Sequence, residues 1–326
     1  MKIVLIGEAA DHREELAAGL DGAPRRDGVP EIIALPREAA FSDGHDERIE
    51  PDDVVVSLKF TRSGGAPPFR LLQVPGAGLD GIDFTCLDPG TLVCNVYEHE
   101  IPIAEYVLGC LLEWEIGIAR IRAAFSAENW AQAYRHRAPH GEVHGRTLGL
   151  LGYGRIGKAI ASRANAFGMH VIAVDAVAAA DEHVERLLSP DKRDEMLRAA
   201  DYVVICCPLT PQTEGMIGAR ELRLMKASAV LVNVSRAPVA DETALYEALR
   251  THGIAGAFLD VWYRYPAGTD DNVPPANTPL LDLPNVFGTP HSSAWTVDLP
   301  RRRYAFIARN ISRLMQADPL QNVVRG

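Results

Sequence analysis

Residues 147–175 read TLGLLGYGRIGKAIASRANAFGMHVIAVD. An apolar run, Thr147–Leu151, turns through Gly152-Tyr153-Gly154-Arg155-Ile156-Gly157 into a helical pattern. A second apolar run follows and ends in Asp175. A glycine triplet alone is a weak signal. Set between a strand and a helix, with an acid closing the next strand, it specifies a dinucleotide-binding βαβ unit. Gly152 makes the tight turn, Gly154 lets the backbone approach a pyrophosphate, and Gly157 lets the helix lie close on the strand. Arg155 and Ile156 complete the loop, where free N–H groups at a helix N-terminus meet the phosphate charge. A carboxylate at Asp175 can accept both ribose hydroxyls and repels a 2′-phosphate. NAD is therefore the expected cofactor, in preference to NADP.

Outward from this unit, short apolar runs alternate with longer helical patterns, which argues for further βαβ units and a parallel sheet. Strands are expected at Lys2–Ile6, Val54–Leu58, Leu71–Val74, Tyr202–Cys206, Ala229–Asn233, Ile254–Leu259 and Val286–Gly288. Helices are expected at Ile103–Ala124, Arg193–Ala199, Asp241–Thr251 and Leu299–Gln316. Arg62–Pro68 and Tyr265–Pro279 read as loops. The cofactor unit starts near residue 145, behind a stretch with its own βα pattern. The chain should therefore leave a first domain, build the cofactor domain, and return at its C-terminus.

The 326 residues carry 33 Lys+Arg against 43 Asp+Glu, a net charge of −10. An acidic chain without a basic tract is a poor partner for nucleic acid or an anionic membrane surface. No apolar run approaches the ~18 residues a membrane helix needs. The opening MKIVLIGEAADHREEL reads as a buried first strand rather than a secretory leader. Cys86, Cys94, Cys110, Cys206 and Cys207 show no CxxC and no zinc-ligand spacing, so no metal is expected. They read as small buried hydrophobes in a reducing, cytoplasmic setting.

Several motifs, in order along nearly the whole chain, resemble those of the D-isomer-specific 2-hydroxyacid dehydrogenases. LLQVPGAGLDGIDF (71–84) is similar to a substrate-domain loop whose N–H groups hold a carboxylate, here at Ala77 and Gly78. IAEYVLG (103–109) resembles the start of the helix linking the domains, and CPLTPQT (207–213), with Pro208 and Thr213, a loop over the cofactor. LVNVSRAPVADETAL (231–245) resembles the segment with the catalytic arginine, here Arg236, beside the cofactor-contacting Val234. FLDVW (258–262) resembles the strand end whose aspartate, Asp260, meets the nicotinamide amide. TPHSSAW (289–295) resembles the segment with the catalytic histidine, His291, and a cofactor contact at Ser293. The resemblance implies an α/β fold in which a Rossmann domain (106–289) is inserted into a smaller flavodoxin-like substrate domain (1–105 and 290–326). It also implies hydride transfer between NAD(H) and a small 2-keto or D-2-hydroxy acid, and a homodimer. An apolar contact for that dimer is expected from Ile103–Ala124 with Trp114 and from Phe125–Tyr134 with Trp130.

The chemistry accounts for these residue types. One guanidinium can bond the carboxylate and carbonyl of a keto acid in a planar fork, which lysine cannot imitate. The carbonyl oxygen gains a proton as hydride reaches carbon, and an imidazole with a pKa of about 6.5 suits that transfer. One departure stands out. Relatives place a glutamate five residues after the aspartate, where it bonds the histidine and raises its pKa. Counting from Asp260 reaches Tyr265, which joins Arg236 and His291 in the expected catalytic set. A phenol would leave the histidine at or below its free pKa, and reduction would favour slightly acidic pH. Alternatively the reaction needs little proton chemistry, as for a formate-like or phosphorus-oxoacid donor, or the chain is an NADH-binding regulator. Tyr97, His99 and Trp295 are candidate substrate contacts. Trp262 and Tyr263 read as packing residues, and Ala237 stands where relatives carry glycine.

Overall fold

Val, Ile, Leu and Ala runs that are apolar on both faces are satisfied as strands of a sheet covered on both sides. The computed structural model describes residues 1–21, 30–266, 268 and 271–325. It shows two such sheets in two compact units, Met1–Glu98 with Thr296–Gly326 and His99–Trp295.

The first unit begins with β1 (Lys2–Ile6), α1 (Arg13–Asp21), β2 (Glu31–Leu35), β3 (Val54–Val56), β4 (Leu71–Gln73) and β5 (Leu92–Cys94). These strands pair in parallel in the order 2-1-3-4-5, the flavodoxin-like order.

The chain then enters the second unit through α2 (Glu100–Ile116), α3 (Ile118–Ala124) and α4 (Trp130–Arg135). There follow β6 (Thr147–Leu151), α5 (Arg155–Ala166), β7 (His170–Val174), β8 (Arg186–Leu188), α6 (Arg193–Ala199), β9 (Tyr202–Ile205), α7 (Ala219–Leu222), β10 (Val230–Asn233), α8 (Glu242–Arg250), β11 (Gly256–Leu259) and β12 (Val286–Gly288). All seven strands are parallel, in the order 12-11-10-9-6-7-8. The direction of winding reverses between β6 and β9, the crevice where doubly wound sheets bind ligands. Alternate residues explain the continuous apolar runs. Leu151, Val203, Ile205 and Leu231 pack into one core with Met196, Leu197, Leu245 and Leu249. Leu148, Leu150, Val204 and Val232 pack into the other with Val107, Leu111, Ile160 and Ala161. The chain finally returns to the first unit as α9 (Asp298–Gln316) and β13 (Val323–Arg325), the latter antiparallel to β5.

Several local expectations are corrected. The single helix over Ile103–Ala124 is broken at Gly117, whose left-handed φ of 65° caps α2 and whose N–H bonds Glu113 O at 2.8 Å. The strand expected to reach Cys206 ends at Ile205, so the cysteine pair lies in the following turn. Cys207 is buried there, and the partly exposed Cys206 thiol donates to Gly152 O at 3.1 Å. Strands β2, β5, β8 and β13 were not anticipated. Part of the loop expected at Tyr265–Pro279 (267, 269 and 270) lies outside the described residues. Among the described residues no helix is long and apolar enough to cross a membrane, and no group of three His, Cys, Asp or Glu could hold a metal.

Candidate active site

The turn from β6 into α5 is built for a dinucleotide. Gly152 has φ 104°, and a Cβ there would sit 2.8 Å from Cys207 N. A Cβ on Gly157 would sit 2.4 Å from Gly152 O, so any larger residue pushes the helix off the strand. At Gly154 nothing lies within 4 Å of such an atom, which leaves open space over the start of α5 and the N–H groups of Arg155 and Ile156. Asp175 follows β7 and accepts from the N–H groups of Tyr153 at 2.7 Å and of Val177 and Ala178 at 2.9 Å. Partial burial disfavours its charge, but these backbone bonds outweigh burial and hold its pKa below the usual value. An open phosphate cradle and an ionised acid at the second strand end fit an NAD-type cofactor. Beyond β9, Thr213 Oγ1 donates to Pro208 O at 2.7 Å and so folds the loop that contains both residues.

The next groups come from the ends of β10, β11 and β12, which are neighbours in the sheet. Asn233 closes β10 and is buried. Its Oδ1 accepts from Ser235 N and its Nδ2 donates to Arg236 O, each at 3.1 Å, folding the turn that presents Arg236. The Arg236 side chain is exposed, with Nη1 donating to Ser235 O at 2.9 Å. Asp260 follows β11 and is wholly buried. Its Oδ1 accepts from Thr289 Oγ1 at 2.6 Å and Ser292 N at 2.7 Å, and its Oδ2 accepts from Ser293 N at 3.0 Å. Because the Thr289 proton goes to Asp260, the Tyr106 hydroxyl, 2.7 Å from Thr289 Oγ1, is the donor in that contact. A directed chain, Tyr106 to Thr289 to Asp260, thus pins the segment that carries His291.

His291 has φ 56°, a left-handed conformation uncommon outside glycine and frequent where function constrains the backbone. Its Nδ1 lies 2.9 Å from the Tyr265 hydroxyl, and that oxygen accepts from Trp262 N at 3.2 Å. Loss of solvation on the protein-facing side of the ring lowers the His291 pKa; Asp260 opposes this and Arg236 adds to it. Burial raises the Tyr265 pKa, with Trp262 N–H and Arg236 lowering it and Asp260 raising it. Arg236, Asp260, Tyr265 and His291 are therefore close enough to sense one another.

The other expected site residues are placed as follows. Ala77 and Gly78 lie in the first unit, in a loop tied down by Asn95 Nδ2 donating to Ala77 O at 3.0 Å and Val96 N donating to Gly76 O at 3.1 Å. Tyr97 is also in the first unit, its carbonyl accepting from Arg303 Nε at 3.3 Å. His99 precedes α2 and is partly buried. Val234 and Ser293 are buried, whereas Trp295 is 87% exposed and belongs to no core. Trp262 is a packing residue, as expected, with Nε1 donating to Thr289 O at 2.9 Å. Sequence reasoning missed Tyr106, Asn233 and Thr289. Thr289 was in view as part of Thr-Pro-His, but Tyr106 and Asn233 carry no local signal.

Residues 108–293 match the family described as D-isomer specific 2-hydroxyacid dehydrogenase, NAD binding domain. The chain is 34% identical over 289 residues to a D-3-phosphoglycerate dehydrogenase of Methanocaldococcus jannaschii, covering 85% of this chain and 52% of that protein. It thus spans about half the length of that relative. It is 39% identical over 282 residues to a glyoxylate reductase of Thermococcus onnurineus, covering 81% of this chain and 80% of that protein. A solved D-isomer specific 2-hydroxyacid dehydrogenase from Lactobacillus delbrueckii ssp. bulgaricus, in an NAD complexed form, superimposes with a TM-score of 0.76 at 26% identity, covering 99% of this chain and 100% of that one. The chain belongs to the D-isomer specific 2-hydroxyacid dehydrogenase family, and its second unit carries that family's NAD-binding domain.

Proposed function

We propose that the chain uses NADH to reduce a small 2-keto acid to the D-hydroxy acid, and catalyses the reverse oxidation. The observation that carries this reading is the gathering of Arg236, His291 and Tyr265 at strand ends of the sheet that also presents the dinucleotide loop. Bound NADH supplies the hydride. Arg236 forks onto the keto acid's carboxylate and carbonyl; Ala77 and Gly78 of the first unit are assigned to substrate binding. His291, with Nδ1 held by Tyr265, gives the carbonyl oxygen its proton from Nε2. Asp260, wholly buried and held by Thr289, Ser292 and Ser293, fixes the turn that presents His291 to the nicotinamide site. Pro208, Thr213, Val234 and Ser293 are assigned to the cofactor, and Tyr97, His99 and Trp295 to the substrate. Asp175 selects NAD over NADP.

A homodimer accords with an aromatic cluster on and between α3 and α4. Phe125, Trp130 and Tyr134 are 51%, 56% and 54% exposed, with ring centroids 5.8 Å and 5.3 Å apart along the series. Such a patch is stabilised when a second copy covers it. Sedimentation equilibrium should find a dimer that weakens when Trp130 and Tyr134 become serine; an unmodified monomer would contradict it. Five unpaired cysteines accord with a reducing, cytoplasmic setting.

The decisive assay follows NADH and NADPH oxidation with glyoxylate, hydroxypyruvate, pyruvate and phenylpyruvate, with chiral analysis of the product. We expect turnover of at least one acid, preference for NADH, and a D product. Tight NADH binding without turnover would instead identify a regulator. Reduction of NAD by formate or a phosphorus oxoacid would identify another oxidoreductase on the same fold.

A further inference from the structure

We propose that Tyr265 acts through His291 as a proton reserve: its hydroxyl donates to Nδ1, keeps the ring proton on Nε2, and passes its own proton to Nδ1 as Nε2–H protonates the substrate oxygen. This deepens the keto-acid reductase reading above and rests on it. The geometry supplies the starting state. Trp262 N–H already occupies one lone pair of the Tyr265 oxygen at 3.2 Å, and His291 Nδ1 stands 2.9 Å from that oxygen. An ionised glutamate at this place could only accept a hydrogen bond, whereas a phenol can donate or accept. Between a neutral imidazole and a phenol, the ring nitrogen is the stronger base and the hydroxyl the stronger acid. The bond therefore runs from Oη–H to Nδ1. The neutral ring then presents Nε2–H, a donor to the carbonyl of a bound keto acid.

The step balances. Hydride adds to the carbonyl carbon, and the carbonyl oxygen takes the proton of Nε2. The Oη–H bond breaks as an Nδ1–H bond forms, leaving a neutral ring and a tyrosinate. The site resets when Nε2 takes a proton from water and Nδ1 returns its proton to Oη. The shift runs downhill, because an alkoxide holds a proton about as tightly as hydroxide does, far more tightly than a phenolate. A phenol lies near 10; burial raises Tyr265 from there, while Trp262 N–H and Arg236 pull it down. The transient tyrosinate is met by Trp262 N–H and by the field of Arg236, with Asp260 opposing. Tyr265 lines a cavity of about 490 Å³ with Trp262, Arg264, Val273, Thr289 and Pro290. The relay needs no charged histidine, which suits a ring whose pKa is lowered.

The test compares the pH dependence of kcat for keto-acid reduction, from pH 5 to 10, in the unmodified protein and in Tyr265→Phe, and reads the His291 tautomer by 15N NMR. The unmodified protein should stay level through pH 9 with Nε2–H as its tautomer. The Nδ1 resonance should move when the hydroxyl is removed. Tyr265→Phe must rely on charged His291 and should lose about tenfold per pH unit once the pH exceeds the lowered pKa of that ring. Coincident falling profiles, or an Nδ1–H tautomer in the unmodified protein, would overturn the relay while leaving the reductase standing. No turnover by the unmodified protein would overturn the reductase and the relay together. Should the phenylalanine variant not fold, the tautomer and the profile of the unmodified protein still decide.

Discussion

Replacing Thr289 by valine removes two hydrogen bonds while nearly preserving shape. Its Oγ1 donates to Asp260 at 2.6 Å and accepts from Tyr106 at 2.7 Å. Asp260 is wholly buried, so water cannot replace the lost donor. A hydrogen bond to a charged group contributes about 1.5–3 kcal/mol, and a stranded buried hydroxyl costs about 1–3 kcal/mol. Both bonds share one atom and are not additive. We therefore expect a loss of about 2–4 kcal/mol. For a domain of this size that lowers Tm by about 4–16 °C. The turn that holds His291 in its left-handed conformation loosens too. Misplacing a catalytic group by an ångström can cost up to about a hundredfold in rate, and kcat/KM should fall at least tenfold. Thermal unfolding by circular dichroism and steady-state keto-acid reduction measure both effects, with Thr289→Ser, which keeps the hydroxyl, as the control. A valine variant that melts with the unmodified protein and turns over at its rate would refute the clamp.

Gly157→Ala places a methyl 2.4 Å from Gly152 O, where only backbone can yield; fluorescence titration should show NADH binding weakened at least tenfold. Asp175→Asn keeps a side-chain acceptor for the loop N–H groups but loses the charge, so the kcat/KM ratio of NADPH to NADH should rise at least tenfold; an unchanged ratio would remove Asp175 from cofactor selection. His291 titrates in the fold below the ordinary imidazole value of about 6.5. The unfolded chain therefore binds the extra proton first, and this residue weakens the fold progressively as pH drops through 6.5. Denaturant titrations at pH 7.5 and 5 should show the stability of the unmodified protein falling relative to His291→Gln at the lower pH. A gap that is constant, or moves the other way, would contradict the lowered value.

The cofactor unit was legible because its signals are local: glycine spacing, a helical period and a strand-ending acid lie within 147–175. Strands β2, β8 and β13 were not, since their residues are only partly buried and their apolar pattern is interrupted. The break at Gly117 was hidden because apolar residues continue on either side; only the left-handed φ ends the helix there. Tyr265 could be paired with His291 by counting along a known motif. The anchoring of Asp260 could not be read at all, because its partners lie 29–33 residues away in another strand's exit. The Tyr106 contact spans 183 positions, far beyond any local pattern.

The most direct trial of the account is a crystal structure of the protein with NADH and oxamate, an unreactive keto-acid mimic. We expect the oxamate carboxylate in the fork of Arg236 and its carbonyl oxygen within hydrogen-bonding distance of His291 Nε2, facing the nicotinamide. Oxamate bound away from both side chains, or a nicotinamide directed elsewhere, would contradict it.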